Sequence, residues 1–112
     1  MHLLDRHHPV ADGTRIRLRL PQVGDRHELR AFLDGLGVED LDTRRALRWA
    51  PRAGRWSIVA TRWDGAREAI VGVAVVDGQD GAPTLLAEDP DVAGLLAQAL
   101  ADRAETARRR VA

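Results

Sequence analysis

The sequence predicts an α/β (α+β) fold: a four-stranded, mainly antiparallel sheet with helices packed on it, in the order β-α-α-β-β-β-α. Three observations support this prediction. Apolar and basic residues alternate along 14–20, an unbroken apolar run covers 69–76, and a long helical pattern begins at Pro90. The chain has 112 residues, a length that suits a single domain.

The first strand is predicted at 14–20, where isoleucine and leucine alternate with arginine, and Pro21 ends it. A helix follows, in which Asp25 suits the N-cap and Glu28, three residues later, suits a capping box. Apolar residues at helical spacing continue as far as Gly37, which favours a helix end.

A shorter helix is predicted at 39–49. Two strands follow at 56–63 and 69–76, and the Asp64-Gly65 turn between them predicts a β-hairpin. The second of these strands is apolar on both faces, which is typical of a strand covered on both sides. A short fourth strand is predicted at 83–87.

The last helix has the clearest pattern. Asp89 suits its N-cap, Pro90 suits its first position because a missing N–H costs nothing there, and 92–107 follow helical spacing. Residues 1–12 show no periodicity and are predicted to be a flexible arm, so the single domain covers 13–112.

Composition argues against several classes of function. All 17 basic residues are arginine and 17 acidic residues balance them, whereas nucleic-acid-binding domains usually carry a basic excess. The absence of cysteine excludes disulfides, thiolate catalysis and cysteine-based zinc sites. No apolar stretch is long enough to span a bilayer and no signal-peptide pattern opens the chain, so a cytoplasmic protein without membrane partners is expected.

Three segments resemble the front part of the GNAT superfamily of acyl-CoA-dependent N-acetyltransferases. They are 16–21 with Asp25 opening the first helix, 69–74 as a central strand, and the strand, turn and helix of 85–100. The resemblance covers about 13–107. It implies the family's fold, acetyl-CoA as cofactor and N-acetyl transfer as activity.

The junction before the last helix departs from the family pattern. Family members bind the CoA pyrophosphate with a glycine-rich loop of the form Arg/Gln-x-x-Gly-x-Gly/Ala, whereas residues 88–94 read EDPDVAG. Three carboxylates stand where the pyrophosphate would bind, and Pro90 removes one N–H donor. The cofactor-binding candidates that remain are Leu86, Ala87 and Gly94.

The acid and base implied by the resemblance are also incomplete. The family's usual general acid is a tyrosine, and this chain has none. Its base is often an acidic residue near the fourth strand, for which Glu88 is the candidate. The alternative is that Glu88 and Asp89 only cap the last helix. The later strands that complete the family's cleft are not expected after this helix.

These departures predict a truncated, degenerate GNAT-like domain that is non-catalytic, uses no cofactor and acts through dimerisation or partner binding. The fourth strand would form a sheet edge with unpaired backbone groups, where a homodimer or a protein partner could pair. The alternative is a minimal acyl-CoA-dependent N-acetyltransferase, which would bind acetyl-CoA in a cleft completed by a second subunit.

The histidines are further candidates. His2, His7 and His8 could bind a transition metal, but residues near a chain end are more often exposed and mobile. His27 could act as a base, but no serine or aspartate partner follows from its spacing, so a solvated surface position is favoured. No metal site is therefore predicted.

The arginines and tryptophans form two larger sets. Arginines of the first strand and the hairpin could bind phosphate, as in an anion sensor; the favoured alternative is a solvated sheet face with salt bridges to Asp25, Asp64 and Glu68. These arginines are Arg15, Arg17, Arg19, Arg55, Arg62 and Arg67.

The tryptophans are expected to pack helices onto the sheet or to mark a dimer contact; they are Trp49, Trp56 and Trp63.

Overall fold

The computed structural model describes residues 7–10, 13–46, 55–63, 65, 67–77 and 83–111. These residues form a five-stranded antiparallel sheet in the order β1-β2-β3-β4-β5. The elements are β1 (His7–Pro9), β2 (Arg15–Arg19), a 3-10 turn (Val23–Asp25), α1 (Arg26–Gly35), α2 (Leu41–Ala46), β3 (Arg55–Trp63), β4 (Glu68–Asp77), β5 (Thr84–Ala87) and α3 (Pro90–Val111). The α+β class is confirmed, and the predicted fourth strand is β5.

The predicted strand count of four is wrong because part of the expected arm is a strand. Residues 7–9 pair antiparallel with β2, with His8 opposite Ile16. Gly13 reverses the chain at a φ of 85°, and the Val10 N–H donates to the Thr14 carbonyl at 3.0 Å. A three-residue strand is too short to show a period, so the sequence pattern could not reveal it.

The start of α1 also differs from the prediction. Asp25 occupies the position before the helix, but its carboxylate does not cap α1. It accepts a hydrogen bond from the Gln22 N–H at 2.6 Å and pairs with the Arg19 guanidinium. Asp89, by contrast, caps α3 as predicted, since the Val92 N–H donates to its Oδ1 at 3.0 Å.

The shorter helix is confirmed in part. The helix α2 spans Leu41–Ala46, and the part of the predicted 39–49 helix beyond 46 lies outside the described residues. Asp40 caps it, because the Thr43 N–H donates to Asp40 Oδ2 at 3.0 Å. The hairpin is confirmed by the pairing of β3 with β4.

The sheet is covered on both faces, which divides the apolar interior into two cores. The core beneath α3 includes Ile16, Leu18, Ile58, Ala60, Val71, Ala74, Val92, Leu96 and Ala99. The core beneath α1 includes Leu29, Phe32, Leu33, Val59, Ile70, Val73 and Val75. β4 contributes to both, which confirms the prediction that this strand is covered on both sides.

A register shift in β4 brings α3 close to the sheet. Ala60 lies opposite Gly72 and Thr61 lies opposite Ile70, so Val71 is an extra residue on β4. A Cβ atom at Gly72 would lie 2.7 Å from Val92 Cγ1 and 2.9 Å from a Leu96 methyl carbon. Both of these α3 side chains are fully buried, so neither has room to withdraw.

No helix among the described residues is long and apolar enough to cross a membrane.

We predict that Gly72→Ala destabilises the protein by about 1–3 kcal/mol, because the added methyl overpacks the core beneath α3. Gly94→Ala is the matched control. Gly94 lies on the exposed side of the same helix with nothing within 4 Å of an added Cβ, so the same change should stabilise the helix by about 0.5–1 kcal/mol. Urea denaturation followed by circular dichroism measures both. Equal effects in the two variants would contradict the packing described at Gly72.

Candidate functional site

Arg62 joins the end of β3 to the start of α3. Its guanidinium pairs with the Glu88 carboxylate, lies 3.4 Å from Asp89 Oδ2, and donates through Nε to Thr14 Oγ1 at 3.1 Å. The Arg62 side chain is only 19% exposed, so water screens these contacts less than it would at the surface. Glu88 and Asp89 therefore hold the helix against the sheet. This is the arrangement expected of structural carboxylates.

The first turn of α3 is where the GNAT resemblance would place a pyrophosphate. Pro90 has no N–H, the Val92 N–H donates to the Asp89 carboxylate, and the Ala93 N–H donates to the Asp89 carbonyl at 3.1 Å. The chain's own carboxylate thus stands at the positive end of the helix, where a bound phosphate would otherwise lie. A phosphate approaching this turn would meet negative charge and few available donors.

The cofactor-binding candidates are not brought together. Leu86 packs toward the core beneath α1, whereas its neighbour Ala87 packs toward the core beneath α3. Gly94 lies on the exposed side of α3, away from both. Successive residues of a strand point to opposite faces, so these three cannot line one site.

A shallow groove of about 420 Å³ separates the first half of α3 from the end of β1. Its wall residues are Pro9, Val10, Pro90, Asp91, Gly94, Leu95 and Gln98. Two prolines and two aliphatic side chains line it together with one carboxylate and one amide, so the surface is mixed, with polar and apolar atoms in similar shares. The groove shares only Gly94 with the predicted sites.

The arginines do not form one patch. Arg17 and Arg19 project to the α1 face of the sheet, because the β2 residues that alternate with them, Ile16 and Leu18, are buried beneath α3. Arg62 lies directly opposite Ile16 in the register of β2 and β3, so its side chain projects to the α3 face of the sheet. The phosphate patch, which was the less favoured of the two interpretations, therefore does not form as one surface that includes Arg62. The side chain of Arg55 lies outside the described part of the chain.

The arginines on the α1 face are neutralised by acids. Arg17 and Arg19 lie 3.8 and 3.4 Å from Glu68 Oε1, and Arg67 lies 3.2 Å from Glu28 Oε1. The predicted alternative of a sheet face with salt bridges therefore fits these residues, including Glu68 as one of the neutralising acids. Glu68 also accepts a hydrogen bond from the Thr61 hydroxyl.

Arg19 and Asp25 form the most buried ion pair of the described residues. Two parallel hydrogen bonds of 2.8 Å join the guanidinium to the carboxylate, and the residues are 6% and 7% exposed. The hydrogen bond to Asp25 raises the pKa of Arg19, although burial opposes this. The hydrogen bonds from Arg19 lower the pKa of the Asp25 carboxyl, burial opposes that change, and the Gln22 N–H adds to it.

The histidine and tryptophan candidates are dispersed. His7 and His8 are successive residues of β1 and point to opposite faces, His27 is exposed on α1, and His2 lies outside the described residues. Within the described ranges, no three histidine, aspartate or glutamate side chains come together as metal ligands.

Trp56 and Trp63 also project to opposite faces of β3. The Arg103 guanidinium of α3 stacks over the Trp56 ring, 4.7 Å from its centroid, so this tryptophan does pack a helix onto the sheet as predicted. Trp63 is 62% exposed, and Trp49 lies outside the described residues.

Sequence reasoning missed the role of Arg62 as the ionic link to α3 and the burial of the Arg19–Asp25 pair. Spacing alone carries no signal for either, since Arg62 and Glu88 lie far apart in the chain. Comparison with protein-family models, with curated proteins and with solved structures finds no match to this chain. The geometry of the described residues therefore carries the functional argument.

We predict that stability depends on pH through Asp25. Folding lowers the pKa of this carboxyl below its ordinary value of 3.8, so its stabilising effect is complete above that value. The effect is lost as the pH falls through the lower folded-state pKa. The free energy of unfolding of the wild type should therefore fall more steeply below about pH 5 than that of Asp25→Asn.

Asp25→Asn should also lower the free energy of unfolding at neutral pH by about 3 kcal/mol, because it leaves the buried Arg19 unpaired. Arg67→Ala is the control: Arg67 is largely exposed, so the loss of its pair with Glu28 should cost less than about 1 kcal/mol. Urea titrations at several pH values measure both. Parallel pH profiles for the wild type and Asp25→Asn would contradict the assignment.

Proposed function

We propose that this chain is a GNAT-like domain that carries out no acetyl transfer and acts by pairing the open edge of β5 with a strand of another protein molecule. The observation that supports this most is the difference between the two edges of the sheet. The edge at β1 is blocked by a proline, whereas the edge at β5 presents ordinary backbone groups.

The β1 edge is blocked because of where Pro9 lies. The Val10 N–H donates to the carbonyl of Thr14, the residue opposite it, so Val10 belongs to a hydrogen-bonded pair. Hydrogen-bonded pairs alternate along an antiparallel ladder. The backbone N–H and C=O groups of His8 therefore also face β2, whereas the backbone groups of His7 and Pro9 face away from the sheet. A proline at an outward position removes the donor that an added strand would need.

Within β5 (Thr84–Ala87) no proline occupies an outward position; the outward proline on this side, Pro83, lies just before the strand. The Glu88 N–H donates at 2.9 Å to the carbonyl of Val71, which lies opposite it in the register of β4 and β5. By the same alternation, the backbone N–H and C=O groups of Leu86 and Thr84 face β4, whereas those of Leu85 and Ala87 face outward. No described strand lies beyond β5. Strand addition to such an edge is an established mode of protein recognition.

The start of α3 supports the non-catalytic part of the proposal. Asp89 supplies the negative charge at the helix N-terminus, and Glu88, the candidate base, is paired with Arg62. A CoA pyrophosphate would have to displace this ionic link or bind beside it. The alternative function, an acyl-CoA-dependent N-acetyltransferase, requires the pyrophosphate to bind in one of these two ways.

Amide hydrogen exchange followed by NMR tests the open edge. In a sample diluted until light scattering gives the mass of one chain, the Leu86 amide should exchange slowly because it bonds to β4. The Leu85 and Ala87 amides should exchange much faster because they face solvent. Comparable protection of all three in the monomer would mean that the chain covers its own edge, which contradicts the proposal.

Isothermal titration tests the alternative. Acetyl-CoA and desulfo-CoA should release no heat of binding at micromolar protein, because the first turn of α3 offers no anion site. Micromolar binding of either compound would overturn the non-catalytic proposal. Inorganic pyrophosphate at the same concentration is the control for weak, non-specific attraction to arginines.

A further inference from the structure

The two unequal edges limit how large an assembly can become. A sheet with two open edges can add copies at both ends without limit, whereas one blocked edge leaves a single place for pairing. When two copies meet through the same edge, the contact is self-complementary and closes at two. Pro9 on β1 and the open edge of β5 therefore suit a closed pair of identical chains.

The open edge is self-complementary in one register. The outward backbone groups belong to Leu85 and Ala87, so two antiparallel copies exchange every one of them when Leu85 lies opposite the partner's Ala87. Leu86 then lies opposite the partner's Leu86, on the two-fold axis. The neighbouring register places Ala87 opposite the partner's Pro83, which has no N–H to donate.

Side chains at the axis fit this register. Leu86 is half-buried against the core beneath α1, so part of its surface remains to be covered. Residues in a non-hydrogen-bonded antiparallel pair have Cα atoms about 4.5 Å apart, close enough for the two leucines to cover each other.

Charge and shape do not oppose the approach of a second copy. β5 (Thr84–Ala87) carries no charged residue, the chain has a net charge of +0, and Glu88 beyond the strand is neutralised by Arg62. The groove marks the side of α3 that faces β1. The side opposite the groove carries Ala93, Ala97, Leu100 and Ala104. These side chains are uncharged and mostly small, so this side of α3 brings no charge toward an incoming strand.

We infer that the partner at the β5 edge is a second copy of this chain. The two copies pair β5 with β5 antiparallel about a two-fold axis at Leu86, which joins the two sheets into one continuous sheet. This inference rests on the proposed function, since it names the strand that the β5 edge binds.

Engineered cysteines test the register, because the natural chain contains none. In the proposed pair, Leu86→Cys places two cysteines opposite each other, and their Cα atoms lie within the separation of about 4.4–6.8 Å that a disulfide needs. Thr84→Cys is the matched control: its two copies lie four residues apart along the strands, about 13 Å. After oxidation with diamide, Leu86→Cys should migrate as a covalent dimer on a non-reducing gel and Thr84→Cys as a monomer.

Light scattering tests the partner itself. The wild type should have the mass of two chains at high concentration, and Ala87→Pro should have the mass of one, because proline removes an outward donor without touching the ladder to β4. Circular dichroism shows whether Ala87→Pro folds. If it does not, the cysteine pair still decides the register.

Each other outcome overturns a different statement. If the wild type is a monomer at high concentration, a second copy of the chain is not the partner. If the Leu85 and Ala87 amide hydrogens of that monomer exchange rapidly, the proposed function of pairing with a strand of another protein still stands. Protected Leu85 and Ala87 amides in a monomer overturn both proposals. Cross-linking of Thr84→Cys as efficiently as Leu86→Cys, or instead of it, overturns the register.

Discussion

The close approach of α3 to β4 determines most of the surrounding geometry. At Gly72 the strand presents no side chain, and Val92 and Leu96 fill the space that a Cβ would need. The extra residue Val71 lies next to this contact, and its carbonyl accepts a hydrogen bond from the Glu88 N–H. One packing constraint therefore positions the end of β5 and the first turn of α3 together.

Once α3 is held there, its first turn lies over Arg62, and the charges near it are used within the fold. Glu88 and Asp89 pair with Arg62, and Asp89 also caps the helix. On the other face of the sheet, Arg19 and Asp25 pair beneath α1. Groups that could serve catalysis or anion binding in a different arrangement serve here to fasten the helices to the sheet.

The proposed recognition depends on the backbone groups at the β5 edge. Unpaired strand edges attract other strands, and proteins commonly guard them with proline or charge. β1 follows this rule through Pro9, whereas β5 has neither device among its residues. This difference between the two edges underlies both the proposed function and the proposed pairing of two copies.

The sequence by itself determined the elements whose side chains repeat with a clear period. The alternation of β2, the apolar run of β4 and the helical spacing of α3 are local signals, because each depends only on neighbours in the chain. The cap of α3 by Asp89 is equally local. The three-residue β1 was missed because so short a strand carries no period.

Tertiary structure alone decided which groups meet. Asp25 was expected to cap a helix, but a buried Arg19 claims its carboxylate, since charge-assisted paired hydrogen bonds are stronger than a cap. Arg17 and Arg62 were expected on one surface, but the register of β2 with β3 places them on opposite faces. Which edge of the sheet is open depends on the alternation of hydrogen-bonded pairs, and that alternation is set only when the strands have paired.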